Sequence, residues 1–224
     1  MTHVPTPELH RLPAEALRRE LRSRLGGCRY AESDLRVAGV SRSAMARLRA
    51  AMPPLSTRAA VLIPLVDRGD ELNLLLTQRS SDLEHHPGQI SFPGGRLEPG
   101  DRDAVAAALR ETEEEIGLKR EFVEVIGCLP DHAVISGYRV TPVVGLVRPG
   151  FELALDATEV SGTFEAPLRH LLDPATHARR MRRIGEEDLE VLDLPWGGHM
   201  IWGATAGMIL TLRELLGGSP LHGD

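Results

Sequence analysis

The sequence predicts an α/β fold in which helices cover the faces of a mixed β-sheet. Apolar and β-branched runs of strand length recur between Ala-rich segments of helical spacing, which is the pattern of that class. The chain has 224 residues, enough for one domain with an attached segment. Hydrophobic residues make up 42% and charged residues 26%, a globular balance too apolar for a disordered chain.

Residues 1–57 are rich in Arg and Ala, with Pro5, Pro7 and Pro13 early and Pro53-Pro54 late. Leu17, Leu21 and Leu25 recur at helical spacing, and Ser41 can cap a second helix running to about Ala51. This predicts an N-terminal helical extension over 1–57 and a single domain over 58–224. Ala59 to Val66 and Leu72 to Thr77 flank the turn signal Asp67-Arg68-Gly69-Asp70, a β-hairpin pattern. A Gly- and Pro-rich loop follows over 79–100. Asp101 or Asp103 then caps an Ala-rich helix that stops at Gly117. Phe122 to Ile126 and Tyr138 to Val147 read as strands. A strand over Val160 to Ala166, a helical turn from Pro167 to Leu172, a strand over Leu189 to Leu194 and a helix from about Ile201 to Leu216 complete the chain.

Composition narrows the chemistry. With 32 Asp plus Glu against 26 Lys plus Arg, the net charge is −6 and no nucleic-acid partner is expected. Lys119 is the only lysine, and its setting between Leu118 and Arg120 suits neither a P-loop nor a Schiff base. Cys28 and Cys128 are too few and too far apart for paired thiolate zinc ligands, and are expected to be two thiols of a cytoplasmic protein. The apolar stretches Ala59 to Val66 and Met200 to Leu212 fall short of the roughly 20 residues that cross a bilayer. The first residues lack the pattern of a secretion signal. No membrane partner is therefore expected, and a cytoplasmic setting is. The oligomeric state is not legible.

Arg110-Glu111-Thr112-Glu113-Glu114-Glu115-Ile116-Gly117 is the most informative segment. On a helix Glu111 and Glu115 stand at i and i+4 with Glu114 beside them, so three carboxylates address one small volume. They also crowd the helix C-terminus, where the dipole disfavours anions. A hard divalent cation with oxygen ligands relieves both penalties. Arg110, one turn before Glu114, can neutralise one charge and orient it. Ahead of this helix, Phe92-Pro93-Gly94-Gly95 allows close backbone approach and positive φ.

With these residues the sequence resembles the Nudix hydrolase family, whose signature runs Gly, five residues, Glu, seven residues, Arg-Glu, an aliphatic residue, any residue, Glu-Glu, any residue, Gly. Gly95, Arg110, Glu111, Glu114, Glu115, Gly117 and Leu118 match it. Asp101 replaces the first Glu, eight residues rather than seven separate it from Arg110, and Thr112 takes the aliphatic position. The resemblance implies an α/β/α sandwich around a mixed sheet. It also implies hydrolysis of a nucleoside diphosphate linked to another group, with Mg²⁺ or Mn²⁺ held by Glu111, Glu114 and Glu115.

Leu75-Leu76-Thr77-Gln78-Arg79-Ser80 followed by Gly88 and Phe92-Pro93-Gly94-Gly95 resembles the added signature of the coenzyme A pyrophosphatase branch. Glu84 stands where that branch has Arg. The Asp101 spacing, Glu159-Val160, and Ile201 to Ala206 are similar to the same branch, so the likeness spans about 58 to 215. It implies cleavage of coenzyme A or a derivative into 4′-phosphopantetheine and adenosine 3′,5′-bisphosphate. ADP-ribose, reduced nicotinamide dinucleotides and nucleoside triphosphates are alternative substrates, and a non-catalytic nucleotide-binding module is the alternative class.

Candidate substrate contacts are Arg79, Gly94, Gly95 and Tyr138, the last as an adenine stacker. Arg180, in the run Arg179-Arg180-Met181-Arg182-Arg183, is a candidate for the 3′-phosphate. The general base is expected to be a carboxylate outside the signature, and Glu159 is preferred over Glu165.

Overall fold

The computed structural model describes residues 8–25, 27–28, 35–37, 53–83, 86–184 and 187–219. Within them the chain runs α1 (Ala14–Arg24), β1 (Arg36–Val37), β2 (Thr57–Asp67), β3 (Leu72–Arg79), β4 (Ile90–Ser91), β5 (Gly94–Arg96) and α2 (Ala104–Ile116). It continues through β6 (Val123–Cys128), β7 (His132–Val134), β8 (Tyr138–Val147), β9 (Val160–Pro167), α3 (Leu168–Leu172), β10 (Ala178–Ile184), β11 (Glu187–Trp196), β12 (His199–Ile201) and α4 (Gly203–Leu215). The expected second helix near Ser41 to Ala51 lies outside the described residues.

The central strands β2 and β8 pair in parallel, from Thr57 against Tyr138 to Val66 against Val147. β1 also runs parallel to β7, whereas β3, β5, β6 and β9 join their neighbours antiparallel, so the sheet is mixed. Its order is β1-β7-β8-β2-β3-β4, with β5 beside β2, β6 beside β8 and β9 beside β3. β2 is apolar at nearly every position because both of its faces are covered. Ala60, Leu62 and Val66 pack with Ala107, Ala108 and Ile116 of α2. Ala59, Ile63 and Leu65 pack on the other face with Leu17 and Leu21 of α1, Leu168 and Leu171 of α3, and Ile209 and Leu212 of α4. This is an α/β/α sandwich.

Helix α1 is part of that sandwich. Burying Leu17 and Leu21 stabilises its seat by about 1.5–3 kcal/mol each. Arg18 reaches Asp67 of β2 at 2.5 Å, and Arg22 reaches Glu124 of β6 at 2.8 Å. The expectation of two free thiols is corrected here, because Cys28 and Cys128 form a disulfide. Chain distance does not measure spatial distance. The amide of Cys128 donates to the Gly27 carbonyl at 3.2 Å, and a Cβ on Gly127 would stand 2.9 Å from Leu25, so the end of α1 is laid directly on β6.

A second, three-stranded sheet forms antiparallel from β10, β11 and β12. The arginine run lies on β10. Met181 faces outward between arginines, while Leu189 and Val191 of the partner strand are buried.

Candidate active site

Asp103 caps α2 by accepting the Ala106 amide at 2.8 Å, and Gly117 ends it in the left-handed region at φ 70°. Ala107, Ala108, Thr112, Glu115 and Ile116 form the buried stripe. Thr112 fits this apolar stripe because its hydroxyl donates to the Ala108 carbonyl at 2.6 Å. That register places Glu115 inward with 5% exposure and Glu111, one turn earlier, at the edge of the buried face. Glu114 points outward, 60% exposed.

Strand β5 lies across the inward carboxylates. The Gly94 amide donates to Glu115 Oε2 at 3.0 Å. A Cβ on Gly94 would meet the Ala60 carbonyl at 2.3 Å, and one on Gly95 would meet the Glu111 carboxylate at 2.4 Å. The double glycine is therefore a steric requirement of bringing β2, β5 and the helix carboxylates together.

Arg110 is the hub of the charged network. It takes Asp101 through Nε at 3.1 Å and Nη2 at 2.9 Å, and holds Glu111 at 3.0 Å and Glu114 at 2.8 Å. Its Nη2 also donates to the Arg96 carbonyl at 3.1 Å. Hydrogen bonding to Arg110 holds the Asp101 carboxyl below its ordinary pKa, and Asp101 chiefly raises that of Arg110. Asp101 thus clamps Arg110 from the loop ahead of the helix cap at Asp103.

Glu111 and Glu115 remain under strain from their own charge. Burial pushes Glu115 up to about 7; the Gly94 amide and Arg79 oppose the rise, while Glu159 and Glu111 add to it. Burial likewise raises Glu111, against Arg110 and with repulsion from Glu114 and Glu159. Glu159 lies outside the helix yet acts on both carboxylates. Its carbonyl accepts the Ser80 amide at 2.8 Å, where the β3–β9 register shifts between Gln78 and Arg79. Arg79 sits at the same shift, and its buried Nε has no hydrogen-bond partner among the described residues.

The other two candidate contacts are engaged by other side chains. Tyr138 accepts from Arg96 Nε at 2.8 Å, and the guanidinium covers its ring at 5.4 Å. Arg180 reaches Asp193 at 3.3 Å, and Asp193, fully buried, also holds Arg182 at 2.8 Å. Arg182 in turn lies 4.3 Å over the Trp202 ring. Glu84 lies outside the described residues. Sequence reasoning missed Asp156, whose side chain organises the turn before Glu159; Asp156-Ala157-Thr158 is a recognisable Asx-turn pattern.

Oxygen donors from Glu111 and Glu115, with their repulsion only partly offset, are of the kind a hard divalent cation takes. Among the described residues no three acidic, His or Cys side chains form a ready-made cage. A cation that retains waters and takes one or two carboxylates plus substrate phosphates does not need one.

A NUDIX domain model matches residues 56–186. The Nudix hydrolase NudL of Escherichia coli K12, described as uncharacterised, is 44% identical over 165 residues, covering 73% of this chain and 84% of that protein. NudL of Shigella flexneri is 42% identical over 184 residues, covering 81% and 94% respectively. Among solved structures, an Ap4A hydrolase binary complex from C. elegans aligns at 23% identity and TM-score 0.44, over 49% of this chain and 80% of that one. A MutT/nudix family protein from Enterococcus faecalis aligns at 16% identity and TM-score 0.46, over 79% and 70%. The chain belongs to the Nudix family of hydrolases.

Proposed function

We propose that this Nudix hydrolase is a metal-dependent pyrophosphatase that cleaves the diphosphate of coenzyme A or its derivatives. The products are 4′-phosphopantetheine and adenosine 3′,5′-bisphosphate. The observation that carries the catalytic reading is Glu115, buried to 5% exposure with its pKa raised to about 7 and two further carboxylates acting on Glu111 or on it. Nothing in folding alone requires that arrangement. The Leu-Leu-Thr-x-Arg-Ser and Phe-Pro-Gly-Gly pattern supports coenzyme A as substrate, and the charge of Arg79, within that pattern, acts on Glu115.

Glu111, Glu114 and Glu115 are the residues that would hold Mg²⁺ or Mn²⁺. The bound ion would neutralise diphosphate oxygens and lower the pKa of water. Arg79, whose Nε has no partner among the described residues, is assigned to the diphosphate. Gly94 and Gly95 are assigned to substrate contact through their backbone groups. Arg110 fixes Glu111 and Glu114. Glu159 accepts the proton of the attacking water, whose oxygen bonds to one phosphorus as the bridging P–O bond breaks. Tyr138 is assigned to adenine through the ring face away from Arg96. Arg180, 57% exposed, is assigned to the 3′-phosphate through the part of its guanidinium not engaged by Asp193.

We assign residues 1–57 as the helical extension and 58–224 as the hydrolase domain. No helix among the described residues is long and apolar enough to cross a membrane. A cytoplasmic setting, which is part of the proposal, requires the Cys28–Cys128 bond to resist reducing thiols.

The test is a panel of coenzyme A, its 3′-dephospho form, ADP-ribose, NADH and nucleoside triphosphates with Mg²⁺ and Mn²⁺, read by product chromatography. Coenzyme A should give the highest kcat/KM and the two named products. Preference for another nucleotide would replace the substrate, and absence of turnover on all would favour a binding module.

A further inference from the structure

The turn that carries Glu159 is pinned at both ends. At one end the Ala154 amide donates to the Ile116 carbonyl and the Asp156 amide to the Glu115 carbonyl, each at 2.9 Å. The last carbonyls of α2, which would otherwise lack partners, are thus satisfied by this segment. A Cβ on Gly117 would stand 2.8 Å from the Ala154 nitrogen, so the contact needs glycine there. At the other end the Glu159 carbonyl accepts the Ser80 amide of the strand that supplies Arg79.

Between these anchors the turn is closed by Asp156. Its Oδ1 accepts the Thr158 amide at 2.9 Å and the Thr158 hydroxyl at 2.6 Å. Its carbonyl accepts the amides of Glu159 at 3.0 Å and Val160 at 2.8 Å. One residue therefore links the backbone of Glu115 to the backbone of Glu159. The Glu159 carboxylate acts on both Glu111 and Glu115.

We infer that Asp156 is a positioning residue, whose side-chain turn holds the Glu159 carboxylate at a fixed offset from Glu111 and Glu115 and thereby sets the rate of diphosphate cleavage. The inference rests on the hydrolase reading and on Glu159 as base. A misplacement near 1 Å can cost up to about a hundredfold in rate, so loss of a turn that is also held by backbone bonds should cost roughly tenfold.

Asp156→Ala in the full chain is expected to lower kcat about tenfold with KM little changed. Asp156→Asn keeps an oxygen acceptor for both Thr158 donors and should restore most of the rate. Because Asp156 acts through Glu159, Asp156→Ala placed on Glu159→Gln should cost almost nothing further. Amide exchange at Ser80 and Val160 should quicken in Asp156→Ala, a readout independent of turnover. Additive losses in the double variant, or an Asn variant as slow as the Ala variant, would overturn the inference. A Glu159→Gln variant of normal rate would overturn it too, yet would leave the hydrolase reading intact as long as Glu115→Gln is inactive.

Discussion

Two dense runs of like charge occupy this chain, and they are built in opposite ways. On β10 each arginine has an acidic partner: Arg179 meets Glu190 at 2.7 Å, Arg180 and Arg182 share Asp193, and Arg183 meets Asp188 at 3.4 Å. On α2, Arg110 must serve Asp101, Glu111 and Glu114 together, and Glu115 takes a hydrogen bond from the Gly94 amide with Arg79 adding a weaker attraction. The first run is balanced across a strand pair. The second is left with excess negative charge where water is scarce. Charge density in sequence is common to both, so it is the pairing that separates a structural ladder from a site awaiting a cation.

The largest effect should come from removing that excess. Glu111→Gln and Glu115→Gln are expected to abolish turnover, measured against wild type with saturating metal, whereas normal rates would unseat both as ligands. Without metal, Glu115→Gln should also change the pH dependence of stability. A carboxyl raised from 4.5 to about 7 binds more protons folded than unfolded, so its contribution to stability is lost as pH rises from 4.5 through 7. Chelated wild type should lose stability across that window, and chemical denaturation should show the slope flattened in the Gln variant.

Glu159→Gln comes next, with turnover reduced by roughly two to four powers of ten if it is the base. Metal affinity should hardly move. A loss below about threefold would return the role to a carboxylate on α2.

Reducing the Cys28–Cys128 bond tests the other side of the molecule. It closes a loop of sequence separation 100, for which the chain-entropy model gives about 4–5 kcal/mol. Thermal unfolding with and without reductant should show a lower Tm when reduced, and equal Tm values would remove the bond from the account of how α1 is held.

The smallest expected effect is on the balanced run. Arg79→Ala should lower kcat/KM for every diphosphate substrate. Arg180→Ala should leave the chemistry nearly untouched, narrowing only the preference for coenzyme A over its 3′-dephospho form. Equal changes on both substrates would take Arg180 out of the substrate contacts.

The same contrast explains what could be read in advance. Helix α2 was legible because its Ala-rich period is closed by a cap at Asp103 and a stop at Gly117, and β2 and β8 because doubly buried strands are continuously apolar. Strand β10 was not, since it is arginine at four of its seven positions, and the half-buried Arg182 is tolerable through the buried Asp193 of β11. The two-residue strands β1 and β4 carry too few positions to show a period. At the site, the spacing gave the carboxylates but not their directions. It grouped Glu114 with Glu111 and Glu115, whereas Arg110 turns Glu114 outward. The disulfide depends on a contact between segments far apart in the chain, which no local pattern records; the Asp156 turn is local, but its amide bond to the Glu115 carbonyl is not.

The claim that the excess charge on α2 exists to hold a cation is tested most directly by titrating Mn²⁺ into wild type, Glu115→Gln and Arg180→Ala, with free ion followed by electron paramagnetic resonance. Wild type and Arg180→Ala should bind the ion alike and Glu115→Gln should lose most of that binding; equal binding by wild type and Glu115→Gln would contradict the account.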